Sequence, residues 1–178
     1  MSGIEAVYWA QKYPKEVEAI IGLDMAVPKV YEDFKINMPM LKIAQFAARV
    51  GVTRILPGVS DSDAIKFGSL SDNEKELYRA IFFEKTATTT MLNEVSAIKE
   101  NAKIVDNNGV PKVPMLIFVS NGSGIGWKED LWREYQSSYI ENVENAKLIN
   151  LDCPHYIHDY EYKKISEEIK YFLKEIPN

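Results

Sequence analysis

The apolar residues fall into a few periodic runs whose order along the chain already constrains the architecture. Ile4, Val7, Tyr8 and Trp9 recur at about helical spacing, and Tyr13-Pro14 ends that helix because proline disfavours helical geometry in the residue before it. Val17 to Leu23 is short, β-branched and almost uninterrupted in hydrophobicity, which predicts a strand covered on both faces, with Asp24 at its carboxyl end. Between Pro28 and about Gly109 no strand pattern of comparable strength occurs, whereas helical patterns run over 38–50, 71–85 and 87–104. Ser71-Asp72-Asn73-Glu74 fits a capping box, in which the Ser71 hydroxyl and the Glu74 carboxylate satisfy orphan amides at a helix start. After Gly109 the pattern changes. Pro114 to Val119 predicts a second buried strand, followed by the turn-rich run Ser120-Asn-Gly-Ser-Gly-Ile-Gly126. A helix from Lys128 to about Val143, with Leu131, Trp132, Tyr135, Tyr139 and Val143 along its apolar side, leads to a third strand, Ala146 to Leu151. Glu161 to Leu173 closes the sequence as a helix with Ile165, Ile169, Phe172 and Leu173 at helical spacing.

Strands alternating with helices predict parallel β-α-β units and an α/β fold of about three parallel strands with flanking helices, interrupted by a helical insertion. Ligands in such sheets bind at the carboxyl ends of the strands, where Asp24, the Ser120 to Gly126 loop and His155 all fall. Composition narrows the function classes. At 178 residues, 46% apolar and 26% charged, the chain is the size of one domain and can bury a sizeable core. The 21 basic and 26 acidic side chains give a net charge of -5, and no Lys/Arg stripe is present to neutralise phosphates, so nucleic acid is not expected as a partner. A single cysteine, Cys153, rules out an internal disulfide and permits a reducing compartment. No apolar run approaches the roughly 18 residues of a membrane span, and the first residues lack the features of a signal peptide, so a cytoplasmic location is the default expectation.

The candidate chemistry centres on His155, which leaves the third strand in Asp152-Cys-Pro-His155 and could act as a general base near neutral pH. Such a base needs a carboxylate on its other ring nitrogen to fix the tautomer. The residues leave several carboxylates for that place: Asp24, Asp152, which shares the strand end with the histidine, and Glu129 and Asp130, which come after a loop that holds no carboxylate. His158 is read as a lid or surface residue. Three other patterns are set aside. Gly122-Ser-Gly124-Ile-Gly126 lacks the final glycine of a dinucleotide loop, with Trp127 in its place, and reads as a flexible turn. His155, His158, Asp159 and Cys153 lack the spacing of a metal-ligand motif, so no metal and no cofactor are expected. Met38, Met40, Phe46 and Met91 are read as packing of the insertion's helices against the sheet rather than as a substrate pocket.

Two passages resemble the α/β hydrolases, the serine esterases and their relatives with a helical cap. In that fold a strand enters a sharp elbow, Gly-x-Ser-x-Gly, and a helix and then Tyr-Pro-x-x-Val follow. Met1-Ser2-Gly3-Ile4-Glu5-Ala6 and Lys12-Tyr13-Pro14-Lys15-Glu16-Val17 match the part after the nucleophile, and the His155 loop matches the family's histidine loop, with Pro154 where glycine is usual. The resemblance spans essentially the whole chain, as the family's C-terminal half. It implies residues 1–27 as elbow helix and first core strand, 28–110 as a helical cap, and 111–178 as the remaining core. It implies a nucleophilic serine ahead of Met1, the Met1 amide position as an oxyanion donor, His155 as base and Asp24 as its orienting acid. Ser2 as the nucleophile would require glycine at position 4, where Ile4 stands. The expectation is therefore a hydrolase of an ester or related acyl small molecule, nearly inactive as this chain alone, with an unpaired strand edge prone to self-association. A non-catalytic binding or assembly module derived from a hydrolase, or a relative with another nucleophile such as aspartate, is the alternative.

Overall fold

The computed structural model describes residues 2–66, 68 and 70–176. The Met1 position, expected as an oxyanion donor, lies outside them. In chain order the elements are α1 (Ser2–Lys12), β1 (Ile20–Leu23), α2 (Val30–Asp33), α3 (Met38–Arg49), α4 (Val52–Ile55), α5 (Asp63–Lys66), α6 (Asp72–Lys85), α7 (Thr89–Asn107), β2 (Met115–Val119), α8 (Glu129–Ile140), β3 (Ala146–Asn150) and α9 (Ile157–Glu175). The chain divides into two compact units: one runs up to Phe34 and resumes at Glu100, and the other is Lys35–Lys99.

The first unit holds a parallel sheet of order β1-β2-β3. Its central strand, Met-Leu-Ile-Phe-Val, is buried at every residue because helices lie on both sides, which is why its sequence does not alternate. Leu116 and Phe118 face a cluster built from Leu151, Cys153, Ile157, Ile165 and Phe172, chiefly the apolar stripe of α9. Alternate residues of a strand point to opposite faces, so Met115, Ile117 and Val119 are buried on the other side. The flanking strands are less covered. Leu23 of β1 is 42% exposed, and β3 carries exposed Lys147 and Asn150, so covering on both faces holds for β2 and not for β1. β1 starts at Ile20 rather than Val17, since Ile20 is where its amide meets a partner, the carbonyl of Pro114.

Two residues past the end of α7, Gly109 adopts φ +75°, the left-handed conformation that glycine takes without a Cβ clash and that commonly terminates a helix. The Gln11 amide of α1 donates to the terminal carbonyls of Val105 and Gly109, which anchors the return of the chain toward β2.

The second unit is entirely helical among the described residues. The capping box at α6 forms as the sequence indicates, with the Ser71 amide donating to Glu74 Oε2 at 2.7 Å and the Glu74 amide to Ser71 Oγ at 3.4 Å. α3 buries no residue, and Met40 and Phe46 are exposed. The expectation that these two side chains pack away inside the molecule does not hold, because helical periodicity reports an apolar face without specifying what covers it.

Candidate active site

The site assembles at the carboxyl end of the sheet. Asp24 follows β1 and extends the ladder through its own amide, which donates to the Phe118 carbonyl at 2.8 Å. Its φ of +53° then turns the chain sharply, a conformation that aspartate tolerates better than most residues with a side chain. The turn sits against the start of α1: a Cβ on Gly3 would come within 2.8 Å of the Ala26 carbonyl oxygen, so the small residue there lets the helix approach. Asp24 is almost completely buried, and each carboxylate oxygen accepts two hydrogen bonds. Oδ1 takes the Ser120 amide at 2.7 Å and the Trp132 indole Nε1–H at 2.8 Å. Oδ2 takes the Ser120 hydroxyl at 2.7 Å and His155 Nδ1 at 2.6 Å. Four donors offset the desolvation of a buried charge, which would otherwise cost several kcal/mol.

The ring of His155 is thereby held through one nitrogen. An ionised carboxylate only accepts, so Nδ1 carries the hydrogen and Nε2 of the neutral ring is left as an acceptor. The imidazole is a third exposed while its partner is sealed from solvent. The loop that carries it is pinned to the loop after β2. The His155 amide donates to the Ser123 carbonyl at 3.2 Å, the Asn121 amide to the Cys153 carbonyl at 3.1 Å, and the Asn121 side chain to Asp152 at 3.4 Å. Arg133 of α8 donates to the carbonyls of Ser120 and Leu151, bracing both strand ends, and pairs with Glu129 one turn earlier.

Of the sequence candidates, the structure therefore brings together Asp24 and His155. Asp152 contacts Asn121, Glu129 pairs with Arg133, and His158 faces outward with Asp159 3.7 Å away. Among the described residues no group of three or more His, Cys, Asp or Glu is gathered to hold a metal ion. Cys153 lies in the core beneath the site, where burial, with Glu161, Asp24 and Asp152 nearby, pushes its thiol up to about 11. Two contributors escaped the sequence reading. Ser120 was one residue of a turn-rich run, and Trp132 one residue of an apolar helix face. The signal for Ser120 was its place directly after a buried strand; nothing in the spacing of α8 distinguishes Trp132 from its neighbours.

No protein-family model matches the chain. Across 183 aligned residues it is 31% identical to the uncharacterized protein YbdG of Bacillus subtilis strain 168; the alignment covers 99% of the chain and 56% of YbdG, so the chain spans a little over half the length of that relative. Among solved structures it is similar to DBJA, with a TM-score of 0.57 and 14% identity over 98% of the chain and 67% of DBJA. It is also similar to a mutant of a Pseudomonas aeruginosa protein described as a putative epoxide hydrolase, with MFA bound; there the TM-score is 0.58 and the identity 11%, over 97% of the chain and 63% of that protein. At these identities the likeness concerns the fold. The class it defines is an α/β fold with a three-stranded parallel sheet flanked by helices.

Proposed function

We propose that this chain carries the acid-base part of a hydrolase site and belongs to a protein that cleaves an ester or related acyl substrate. The observation that supports this reading is the 2.6 Å bond between His155 Nδ1 and a buried, four-times hydrogen-bonded Asp24. In the proposed mechanism Nε2 of His155 takes the proton of an attacking hydroxyl and returns it to the leaving group. Asp24 stays ionised, fixes the tautomer and stabilises the imidazolium that forms. The nucleophile is a serine contributed from ahead of Met1. The resemblance of Met1 to Ala6 to the passage after a nucleophile elbow supports that placement. The Met1 amide position then serves as an oxyanion donor, residues 28–110 form the cap, and the chain alone is nearly inactive.

β1 bears on this directly. The amides of Ile20 and Asp24 bond toward β2, so the alternate amides of Ile21 and Leu23 point to the free side of the strand. In this reading a further parallel strand leading to the nucleophile pairs there, and without it the edge invites self-association.

The test compares this chain with a version extended upstream in the same reading frame, both assayed on short acyl nitrophenyl esters with His155→Ala as control. Turnover only by the extended form, abolished by His155→Ala, is the expected result. Formation of a phosphonyl-serine adduct on the chain alone by a serine-directed fluorophosphonate, with loss of fluoride, would overturn the placement of the nucleophile. Two folded but inactive proteins would favour a binding or assembly module derived from a hydrolase.

A further inference from the structure

The stretch from Lys35 to Ser60, which includes α3 and α4, has a charge pattern unlike the rest of the chain. It contains Lys35, Lys42, Arg49 and Arg54 and no acidic residue, so it contributes +4 to a chain whose net charge is -5, leaving -9 on the remainder. Its apolar side chains are equally unusual. Met40 is 67% exposed, Ile43 69%, Phe46 67% and Ile55 79%. At about 100° per residue, Met40, Ile43, Phe46 and Val50 fall within an arc of roughly 120° on one side of α3, and Lys42 and Arg49 lie along the edge beside Phe46. The opposite side is the one the unit covers: Leu41, Gln45 and Ala48 are half-buried, and Gln45 and Arg49 both donate to the Thr89 hydroxyl at the start of α7. α3 is therefore held through Leu41, Gln45, Ala48 and Arg49 while Met40, Ile43 and Phe46 face outward.

We propose that this α3–α4 face docks on an anionic lipid surface, lying in the plane of the interface with Met40, Ile43, Phe46 and Ile55 among the acyl chains and the basic side chains at the headgroups. An exposed apolar arc flanked by Lys and Arg is the pattern of an in-plane interfacial helix. Charge selects the occupant. Two copies meeting through this face would bring +4 against +4 with no acid in either stretch to pair, so a second copy is disfavoured. An anionic bilayer supplies both an apolar phase and the opposite charge. The -9 carried elsewhere is repelled by the same surface and so orients the protein on it. This inference does not depend on the hydrolase reading, since no residue of the Asp24–His155 site takes part.

The test is sedimentation of the chain with vesicles of phosphatidylglycerol and phosphatidylcholine, compared with phosphatidylcholine alone, at low ionic strength. The chain is expected to bind the anionic vesicles at least about tenfold more tightly and to lose most of that preference in high salt. Lys42→Ala with Arg54→Ala lowers the binding about 25-fold, at about fivefold per basic side chain near an anionic surface. Ile43→Ser with Phe46→Ser lowers it by about tenfold or more with circular dichroism unchanged, because neither side chain belongs to the core. Absence of binding, equal binding to both vesicle types, or a basic-residue variant within about twofold of the parent would overturn the proposal. So would a dimer in solution that the Ile43→Ser, Phe46→Ser variant separates into monomers, which would assign the face to a second copy.

Discussion

Trp132→Phe isolates a single hydrogen bond of the candidate site. The indole is 2% exposed, and its Nε1–H donates to Asp24 Oδ1 at 2.8 Å. Phenylalanine refills most of the ring's space but leaves Oδ1 with the Ser120 amide alone. A hydrogen bond to a charged acceptor contributes about 1.5–3 kcal/mol. The volume lost, roughly 40 Å³ at about 24 cal/mol per Å³, adds about 1 kcal/mol. The variant is thus expected to lose about 3 kcal/mol. With an m-value of about 2 kcal/mol per molar urea, that lowers the midpoint of unfolding, followed by far-UV circular dichroism, by about 1.5 M. A double-mutant cycle with Asp24→Asn separates the two contributions. The neutral amide weakens the indole bond to about 1 kcal/mol and leaves the cavity contribution unchanged, so Trp132→Phe should cost about 1 kcal/mol less in that background. Costs that agree within about 0.4 kcal/mol in the two backgrounds would show that Trp132 only fills space and does not hold the carboxylate.

Asp24→Asn keeps the size of the side chain while removing its capacity to accept on both termini, so the hydrogen of His155 should move from Nδ1 to Nε2; nitrogen-15 NMR of the ring reads this, and an unchanged tautomer would refute the orienting role. For Cys153 the sign follows from burial: the folded state holds its proton through a range in which an unfolded thiol, ordinarily near 9.0, has already released it. The stability this group contributes is accordingly complete below that value and declines as pH rises toward about 11. Iodoacetamide should label the denatured chain well before the native one near the ordinary thiol value, and equal rates would show that the thiol is not held in the core.

The alternation of elements was legible because each long element buries enough of one side to impose a period. The Ser71 capping box was legible because both partners lie within four residues. What escaped was short or non-local. The helices Val30–Asp33, Val52–Ile55 and Asp63–Lys66 have four residues each, about one turn, which is too few to display a repeat of 3.6. The apolar pattern of α9 places its start at Glu161 although the helix begins at Ile157, because Glu161 departs from helical geometry (φ -118°, ψ 24°) and the regular apolar stripe starts only beyond that kink. In the same way, Asp24 and His155 could be named from their strand ends. Trp132 could not, because its bond to Asp24 spans 108 residues of sequence and depends on how α8 lies across the sheet.

That difference bears on how the site is held. Asp24 sits at a left-handed backbone angle, where its own local preferences help little, and its position is set by groups from later in the chain: the amide and hydroxyl of Ser120, the indole of Trp132 and the ring of His155. Each comes from a different position along the sheet's carboxyl edge or from α8, so the carboxylate can be satisfied only after β1, β2 and β3 have paired and α8 has docked. The same bonds that orient His155 therefore report completion of the sheet. A perturbation that loosens any one of those elements, even far from the imidazole, should show first as a loss of the fixed Nδ1–H tautomer and only later as loss of secondary structure.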